Sequence, residues 1–515
     1  MIRKLTKLLL FTSILFFSPA AAQVSPGQVK TLHHSLNPNS IAQHLALYEL
    51  YPDTEEGKKA LQKAWMLLTG GNNIQNFSTI PLPQSSSTLQ NLIAMVNKQP
   101  QETIILEEQE LQIIERLAAR LPHTKLRGHY ATSEEEVLNL PNEQIDLARG
   151  LFLSQLPDEP QKMQKIRSYE AAIDLIVLQL LAKIPPGATP AQKIAIINQF
   201  IFEDLDFRFP AKSTYAKDID LYTFLPSVLD SRRGVCLGVS ILYLCIAQRL
   251  QLPLEIITPP GHIFVRYREG EIIINIETTA RGINPPSEMY LSVNTRKLKE
   301  RNIRETIGLA HFNQASVYWQ NDEHHKALDS YAIARKYMGE DPLLMELMAY
   351  NYLFIGETEK GKAILAALTE HIPDYAVSKE TVAEDFINGK ADANGIKACY
   401  MKVDEDRNSL LEKKEALEKV IAQYPEFRSG MLALANTLLQ LHQEGQALEL
   451  LEKYHDIYAE DPTVEYYLSV LHGKRLNYPK AWEHLQAAEL LTAAREHFPK
   501  ALRLVRKELT TLSPE

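Results

Sequence analysis

The sequence predicts a mostly helical α+β fold, in which a helix packs on a small antiparallel sheet and an α-solenoid of helical hairpins follows. Three observations lead to this prediction. Apolar residues recur at helical spacing through most of the 515 residues. Short runs rich in β-branched and aromatic residues are convincing only between Leu254 and Ile276. The last third of the chain repeats with a 34-residue period, as the pair Ala315 and Ala349 illustrates.

Composition limits the class of protein. Apolar residues make up 45% and charged residues 23%, which is typical of a globular chain. The length suggests roughly two to four domains of about 150 residues each. A formal net charge of −9 argues against nucleic-acid binding through bulk positive charge, so no nucleic-acid partner is expected. Three cysteines are too few for a disulfide scaffold.

The first 22 residues predict a signal peptide. Three basic residues precede the largely apolar stretch Leu8–Phe17, and Ala20–Ala22 supplies a small-residue cleavage site before Gln23. The apolar core is short for a membrane span, although an uncleaved anchor is the alternative. We expect cleavage after Ala22, export to the periplasm, and no stable membrane insertion after cleavage. The low cysteine content fits a periplasm better than a disulfide-rich secreted class.

An N-terminal helical region is predicted over 24–150. Apolar residues from Ile41 to Tyr51 share one helical face, a turn follows, and a second helix runs to Leu68. A linker is expected at about 70–88, where glycine, asparagine, proline and serine are concentrated.

A second domain is predicted over 155–285. Apolar residues at helical spacing indicate a helix that ends before Pro185. Thr189 and Gln192 then form a capping box that starts the next helix. After Pro253 the pattern changes from helical spacing to three short strands.

Cys236 is the candidate nucleophile in this domain. It lies in the predicted first turn of an apolar helix, where free N–H groups and the helix dipole favour a thiolate. The nearby Arg232 or Arg233 would favour the thiolate further. Cys245 is nine residues away, on the opposite helix face, and is predicted to be a buried apolar side chain. Cys399 gives no functional signal.

The predicted strands supply a base and a carboxylate for this thiol. A tight hairpin with its tip at Glu269-Gly270 pairs Tyr267 with Ile272, which places His262 directly opposite Glu277. Directly opposed residues have Cβ atoms about 5 Å apart, so the carboxylate would hold the imidazole. A slip by one residue would move the carboxylate to the other face of the sheet.

The stretch 198–282 resembles the transglutaminase-like superfamily, particularly its SirB-type branch. The resemblance rests on Tyr222–Gly234, on the helix that starts at Cys236, and on Pro260–His262. It implies a papain-like fold, in which a helix carrying the cysteine packs on an antiparallel sheet that carries the histidine and the acid.

The same resemblance implies roles for single residues. Cys236 takes the position of the nucleophile, His262 that of the base and Glu277 that of the acidic third residue. The family usually has Asp at this third position, and Asn275 is the alternative in this chain. The backbone N–H of Cys236 would stabilise an oxyanion, with a second donor near Tyr222.

The region 300–515 resembles an array of tetratricopeptide repeats. The resemblance covers roughly 304–375 and 427–497, with a half-repeat near 416–425. It implies paired helices whose stacked concave face binds a protein or peptide partner, or else a solenoid that is only a structural support. The segment Gly356–Lys362 has the spacing of a phosphate-binding loop but is predicted to be a turn between repeat helices.

Two functions remain open at this point. The first is an exported thiol enzyme that forms an acyl-thioester on Cys236 with a peptide or protein amide or ester, while the repeats recruit a substrate or partner. Hydrolysis is favoured over acyl transfer because calcium-site sequences are not apparent. The alternative is a non-catalytic scaffold with a silent transglutaminase-like domain, since SirB-type relatives often lack the cysteine. No cofactor is expected, and no metal, because the adjacent pairs His33-His34 and His324-His325 point too far apart to chelate.

Overall fold

The computed structural model describes residues 25–70, 80–83, 85–102, 104–210, 223–403 and 407–513. The predicted signal peptide and part of the predicted linker lie outside these residues. The chain separates into two units, one that runs through Lys98 and includes Leu181–Pro185, and one that comprises Gln99–Leu180 and Pro186 onward. Among the described helices, none combines the length and the hydrophobicity that crossing a membrane would require.

The first unit is helical. Its helices are α1 (Pro26–Ser35), α2 (Ile41–Leu50), α3 (Glu55–Thr69) and α4 (Ser86–Val96). The first three each begin after a Ser or Thr whose hydroxyl accepts a hydrogen bond from a backbone N–H of the first turn. The helices predicted between residue 24 and Leu68 are therefore confirmed, although they are three rather than two.

The second unit begins with helices that surround the sheet. They are α5 (Glu108–Ala118), α6 (Glu134–Leu138), α7 (Leu147–Gln155), α8 (Lys162–Lys183, whose end belongs to the first unit) and α9 (Pro190–Asn198). Thr189 and Gln192 form the predicted capping box at the start of α9. A π-helical turn, Gln199–Asp204, extends α9.

The core of this unit is a helix on a small antiparallel sheet, as predicted, and the sheet has four strands rather than three. The elements are α10 (Leu225–Ser231), α11 (Cys236–Arg249), β1 (Leu254–Thr258), β2 (Phe264–Glu269), β3 (Ile272–Ile276) and β4 (Lys299–Arg301). The strand order is β3-β2-β1-β4. The sequence prediction missed β4, because three charged residues at a sheet edge carry none of the β-branched pattern that marks a strand.

The hairpin between β2 and β3 corrects the predicted register. Glu269 pairs with Ile272 and Tyr267 with Ile274, so the loop is Gly270-Glu271 and not Glu269-Gly270. Gly270 has a φ of +56°, a left-handed conformation that favours glycine at the first loop position. The shift moves every partner by two residues, so each side chain keeps the face of the sheet that was predicted.

A group of buried charges joins α7 and α8 to the end of α11. Arg249 Nε lies 2.6 Å from Asp174 Oδ1, and Arg149 Nε lies 2.6 Å from Glu170 Oε1. Asp146, the N-cap of α7, lies 3.8 Å from Arg249 and is also fully buried. Because a buried charge is costly unless it is paired, these contacts fix the three helices against one another.

After the sheet, the chain forms helical hairpins. The paired helices are α12 (Ile303–Gln320) with α13 (His324–Met338), α14 (Pro342–Phe354) with α15 (Thr358–Ala366), α19 (Arg428–Gln440) with α20 (Glu444–Ile457), and α21 (Pro462–Lys474) with α22 (Tyr478–Ala493). Between and after them lie α16 (Val382–Ile387), α17 (Ala393–Cys399), α18 (Arg407–Gln423) and α23 (Lys500–Leu512). The predicted hairpins are thereby confirmed, and Gly356 lies in the turn between α14 and α15, whereas residues 358–362 of the predicted turn form the start of α15.

Residues 284–298, here called the linking segment, lie between β3 and β4 and also contact the last helices of the hairpin region. Val293 packs in an apolar cluster with residues of α22 and α23. The Ser292 carbonyl lies 2.8 Å from His497 Nε2, and Arg296 donates to the carbonyl of Arg495 at 3.2 Å. The linking segment is therefore held by the turn between α22 and α23, about 200 positions later in the chain.

Candidate active site

Cys236 is the first residue of α11, directly after a tight turn at Gly234. A Cβ at Gly234 would lie 2.7 Å from Val239 Cγ2 and 3.0 Å from the Val239 nitrogen, so a larger residue would displace the first turn of the helix. Cys236 is a half-buried free thiol. It occupies a helix end whose N–H groups have no acceptor within the helix, which favours negative charge there.

The two arginines before Cys236 brace the turn. Arg232 donates to the carbonyl of Leu205 at 3.0 Å, and Arg233 donates to the carbonyl of Asp206 at 2.8 Å. These guanidinium contacts fasten the turn to the segment that follows α9. The predicted support of a thiolate by either arginine stays a prediction.

The structure brings the three predicted site residues together. His262 Nε2 lies 2.6 Å from Glu277 Oε2, and the same ring is hydrogen-bonded to Cys236. Because Nε2 faces the carboxylate, Nδ1 is left to face the thiol. Extending the observed register places Glu277 opposite Phe264, so His262 and Glu277 are diagonal neighbours on one face rather than a directly opposed pair.

His262 is poised to carry a proton at neutral pH. Its hydrogen bonds with Cys236 and Glu277 raise the pKa of His262 to about 9, although partial burial acts in the opposite direction. A protonated ring beside the sulfur stabilises negative charge on it, as in other paired thiol sites.

Glu277 is held by donors in addition to His262. Tyr290 donates its hydroxyl to Oε2 at 2.7 Å, while Thr279 donates to Oε1 from its hydroxyl at 2.5 Å and from its backbone N–H at 3.2 Å. Burial alone would raise the pKa of Glu277, but the hydrogen bonds from His262, Thr279 and Tyr290 outweigh it and lower the pKa to about 2. The carboxylate is thus ionised and fixed in orientation.

Tyr290 is a site residue that the sequence reasoning missed. Its ring stacks on that of His262 with centroids 5.7 Å apart and on that of Phe264 with centroids 4.4 Å apart. Burial, together with the hydrogen bond to Glu277, raises the pKa of the Tyr290 phenol, so it stays a donor. Tyr290 lies in the linking segment, where no strand or helix period could have placed it.

Asn275 has a structural role distinct from that of Glu277. Its side-chain amide donates to the Pro285 carbonyl at 2.8 Å and lies 2.9 Å from the Ser287 hydroxyl. Asn275 is buried and thereby anchors the beginning of the linking segment, which carries Tyr290. The structure thus brings Glu277, and not Asn275, into contact with His262.

Two hydroxyl groups join the end of β3 to the first turns of α11. The Ser240 and Thr278 hydroxyl oxygens lie 3.0 Å apart, and the Thr278 hydroxyl donates to the Cys236 carbonyl at 3.4 Å. These bonds fix the strand end that carries Glu277 against the helix start that carries Cys236. Tyr222, the region of the expected second oxyanion donor, lies outside the described residues.

A cavity of about 390 Å³ lies on another side of α11. It is lined by apolar residues of α11 and β1, including Leu244, Ala247 and Ile256, and by Arg301. Cys236, His262 and Glu277 are not among its lining residues. The cavity is therefore separate from the thiol site.

Comparison with known proteins agrees with this geometry. Residues 167–299 match a family model described as Transglutaminase-like superfamily. That range contains the thiol, the imidazole and the carboxylate, so the chain carries a transglutaminase-like domain, as predicted. The assignment to the SirB-type branch stays a prediction.

One curated relative is similar over a short stretch. F-box only protein 21 of Mus musculus is 31% identical over 80 residues, which are 16% of this chain and 12% of that protein. The chain thus spans about an eighth of the length of this relative.

Several solved structures are similar to part of the chain. MamA of Desulfovibrio magneticus RS-1 is 16% identical, with 36% of this chain and 96% of that one covered and a TM-score of 0.18. A thermophilic TPR protein of Thermus thermophilus is 16% identical, with coverages of 40% and 97% and a TM-score of 0.19. The TPR2AB domain of yeast Sti1, in a complex with pHSP90, is 15% identical, with coverages of 39% and 85% and a TM-score of 0.20. The assignment of TPR-like repeats in this chain rests on its own paired helices.

Proposed function

We propose that this protein is a thiol enzyme that cleaves an amide or ester bond of a peptide or protein. The observation that carries the proposal is the contact of Cys236 with His262, whose Nε2 lies 2.6 Å from Glu277. A nucleophile, a base and a group that orients the base, in this order, are what acyl transfer through a covalent intermediate requires.

The proposed reaction has two steps. The Cys236 sulfur attacks the carbonyl carbon, and the bond to the leaving amine or alcohol breaks as His262 donates its proton to that group. The product of this step is an acyl-thioester. Water then attacks the thioester, His262 takes up a proton from that water, and the carboxylic acid leaves as the thiolate–imidazolium pair re-forms. Glu277 orients the ring and balances its charge in both steps.

We further propose that the TPR-like repeats bind the substrate or a protein partner. Stacked helical hairpins present an extended concave surface, which is the kind of surface that binds extended peptides. Small buried residues, such as Ala447 in α20 and Ala481 in α22, let the paired helices approach closely. Recruitment by the repeats would raise the local concentration of substrate at the thiol site.

We also propose that the protein is exported, with domains at 24–150, 155–285 and 300–515. The basic start and the apolar stretch before Ala22 support export. Mass spectrometry of the N-terminal peptide from fractionated cells tests it. Export predicts a periplasmic protein that begins at Gln23, and a cytoplasmic chain that retains residues 1–22 would contradict it.

Peptide-resolved alkylation of the folded protein tests the thiol site. We expect iodoacetamide to modify Cys236 faster than the other two cysteines, because burial raises the pKa of Cys245 and raises that of Cys399 to about 12. His262→Ala should slow the modification of Cys236, whereas His325→Ala, an exposed histidine outside the site, should leave it unchanged. A Cys236 that reacts no faster than Cys399 in the folded protein would remove the chemical basis of the proposal.

A peptide library distinguishes hydrolysis, acyl transfer and the scaffold alternative. We expect new peptide termini with the wild-type protein and their loss by about 10³-fold or more in Cys236→Ser, because the nucleophile is removed. Cys399→Ser is the matched control and should retain activity. Incorporation of a labelled amine in place of new termini would indicate acyl transfer. A Cys236→Ser protein that matches the wild type in both assays would favour the scaffold.

A further inference from the structure

A second cluster of ionisable side chains lies among the last hairpins, far along the chain from the thiol site. Glu465 of α21 is fully buried, and its two carboxylate oxygens face two imidazoles. His455 Nδ1, at the end of α20, lies 2.5 Å from Oε1, and His484 Nδ1, in α22, lies 2.8 Å from Oε2. One donor atom from each of these three residues lies within 4.8 Å of the other two.

The chemistry of this donor set is that of a transition-metal site. Two imidazole nitrogens and one carboxylate are a common protein ligand set for Zn²⁺ and related divalent ions. Both hydrogen-bond partners of Glu465 are imidazoles rather than Lys or Arg. A divalent cation held between the three groups would balance the charge of the buried carboxylate.

A second cluster of two imidazoles and one carboxylate differs from the Glu465 cluster because it contains a neighbouring arginine. His123, His129 and Asp146 also bring two imidazoles and a carboxylate together. There, however, the guanidinium of Arg249 lies 3.8 Å from Asp146 and already supplies the positive charge. A second cation beside Arg249 would be repelled, so that cluster is an ion-pair network and not a metal site.

The surroundings of Glu465 support the geometry of the ligands. The His472 ring lies parallel to that of His484, with centroids 5.5 Å apart, and its Nε2 lies 3.4 Å from a carboxylate oxygen of Glu452. These contacts form an outer layer that holds the His484 ring in place. The side chain of His455 is 32% exposed, which gives an ion access from solvent.

We propose that His455, Glu465 and His484 bind one divalent transition-metal ion of the Zn²⁺ class. The ligands would be Nδ1 of each histidine and the Glu465 carboxylate, one from each of three consecutive helices. The ion would act as a structural clamp on α20, α21 and α22. Motif searches miss this set because its members are 10 and 19 residues apart and meet only through helix packing.

Equilibrium dialysis of the full-length, tag-free protein against ZnCl₂ after chelator treatment tests this proposal. Because the chain has 15 histidines and Zn²⁺ also binds thiolates, the measurement is made in a Cys236→Ser background. We expect one bound equivalent, and weakening by about tenfold or more in Glu465→Gln and His484→Gln, since loss of a direct ligand costs at least as much as loss of an outer partner. His325→Gln, an exposed histidine, should bind as the parent does.

A second readout guards against unfolding of the buried variants. His455→Gln changes the half-exposed ligand at a helix end, so its fold should persist by circular dichroism, and it should still lose the bound equivalent. Zn²⁺ should raise the thermal midpoint of the parent and not that of His455→Gln. The absence of bound Zn²⁺ in the parent, or binding that His455→Gln and Glu465→Gln leave unchanged, would overturn the proposal. Neither result bears on the thiol chemistry.

Discussion

Glu277 contacts His262 across a diagonal of the sheet. Diagonal neighbours are about 7–8 Å apart, against about 5 Å for a directly opposed pair, so a longer side chain is needed to reach the ring. The glutamate side chain is one methylene longer than the Asp that the transglutaminase-like family usually has. The diagonal register therefore explains why this chain has Glu at the position where the family usually has Asp.

Shortening this side chain should uncouple the imidazole. We expect Glu277→Asp to lose the contact with His262, and the pKa of His262 to fall from about 9 towards 6.5, because one of the two contacts that raise it is gone. NMR titration of imidazole-labelled protein measures this pKa, with His262→Gln to assign the signal. Glu277→Gln keeps the length, removes the charge and should also lower the pKa. An unchanged titration in both variants would show that Glu277 does not set the charge of His262.

Removing the Tyr290 hydroxyl should make the site more sensitive to acid. The folded-state pKa of Glu277 is depressed to about 2, so the stabilisation from its contacts is complete above 4.5 and is lost as the pH falls towards 2. Tyr290→Phe keeps the stacked ring but removes one donor, so the pKa of Glu277 should rise and the loss should begin at higher pH. Acid unfolding monitored by circular dichroism measures the shift. Tyr130→Phe, an exposed tyrosine, is the control and should titrate as the wild type does.

The site residues were partly predictable for local reasons. Cys236 begins α11 and His262 lies two residues before β2, and the hydrophobic pattern of the sequence marks both elements. The contact of His262 with Glu277 was predicted from a register that was wrong by two residues, and it held because an even shift preserves the face of the sheet. Tyr290 and Thr279 were missed, since nothing in their spacing shows that they would reach Glu277.

At the level of elements, the position of glycine in the β2–β3 loop indicates the correct register, and the prediction overlooked it. A two-residue hairpin loop of the favoured kind needs a positive φ at its first position. Gly270 meets that need only when the loop is Gly270-Glu271, which is the observed loop. Choosing between adjacent turn positions by glycine placement would have given the correct register.

The turn before α11 should be intolerant of any side chain at Gly234. Gly234→Ala places a Cβ about 3.0 Å from the backbone nitrogen of Val239, which cannot move without shifting the helix start. We expect the unfolding free energy to fall by about 1–3 kcal/mol, as for other overpacked sites, and the alkylation of Cys236 to slow. Denaturant unfolding and peptide-resolved alkylation measure the two effects.

Gly473→Ala is the matched control for this change. It lies within α21, where an added Cβ would be 3.5 Å from Leu509, an ordinary contact distance. Both readouts should therefore stay close to the wild type. Equal effects of the two substitutions would mean that the turn is not specifically tight.

On the scale of the whole molecule, buried charges connect the helices before the sheet to the helix that carries the thiol. Arg249 ends α11, and its partners Asp174 and Asp146 come from α8 and from the cap of α7. Composition gives no hint of such a network, because charged residues are usually exposed. The sequence therefore predicts which apolar faces of these helices are buried, but not the ion pairs that join the helices.

Breaking this network should loosen α11. Arg249→Met leaves Asp174 buried without its main partner, which we expect to cost about 3–5 kcal/mol. Hydrogen exchange of the α11 amides measures the loss locally. Lys165→Met removes an exposed pair with Glu159 instead and should cost no more than about 1 kcal/mol. Similar protection of α11 in both variants would contradict a stabilising role for the buried charges.

The linking segment makes the thiol site depend on helices that are synthesised much later than the site residues. Tyr290 is carried by a segment whose Val293 packs on α22 and α23, and whose Ser292 carbonyl faces His497. A nascent chain reaches Cys236, His262 and Glu277 long before those helices have been synthesised. Until those helices are present, Tyr290 is positioned only by the Asn275 anchor and by the stacked rings of His262 and Phe264. The full geometry of the thiol site is therefore reached only after α22 and α23 have been made, and a chain that ends before them would carry a less ordered Tyr290 beside Glu277.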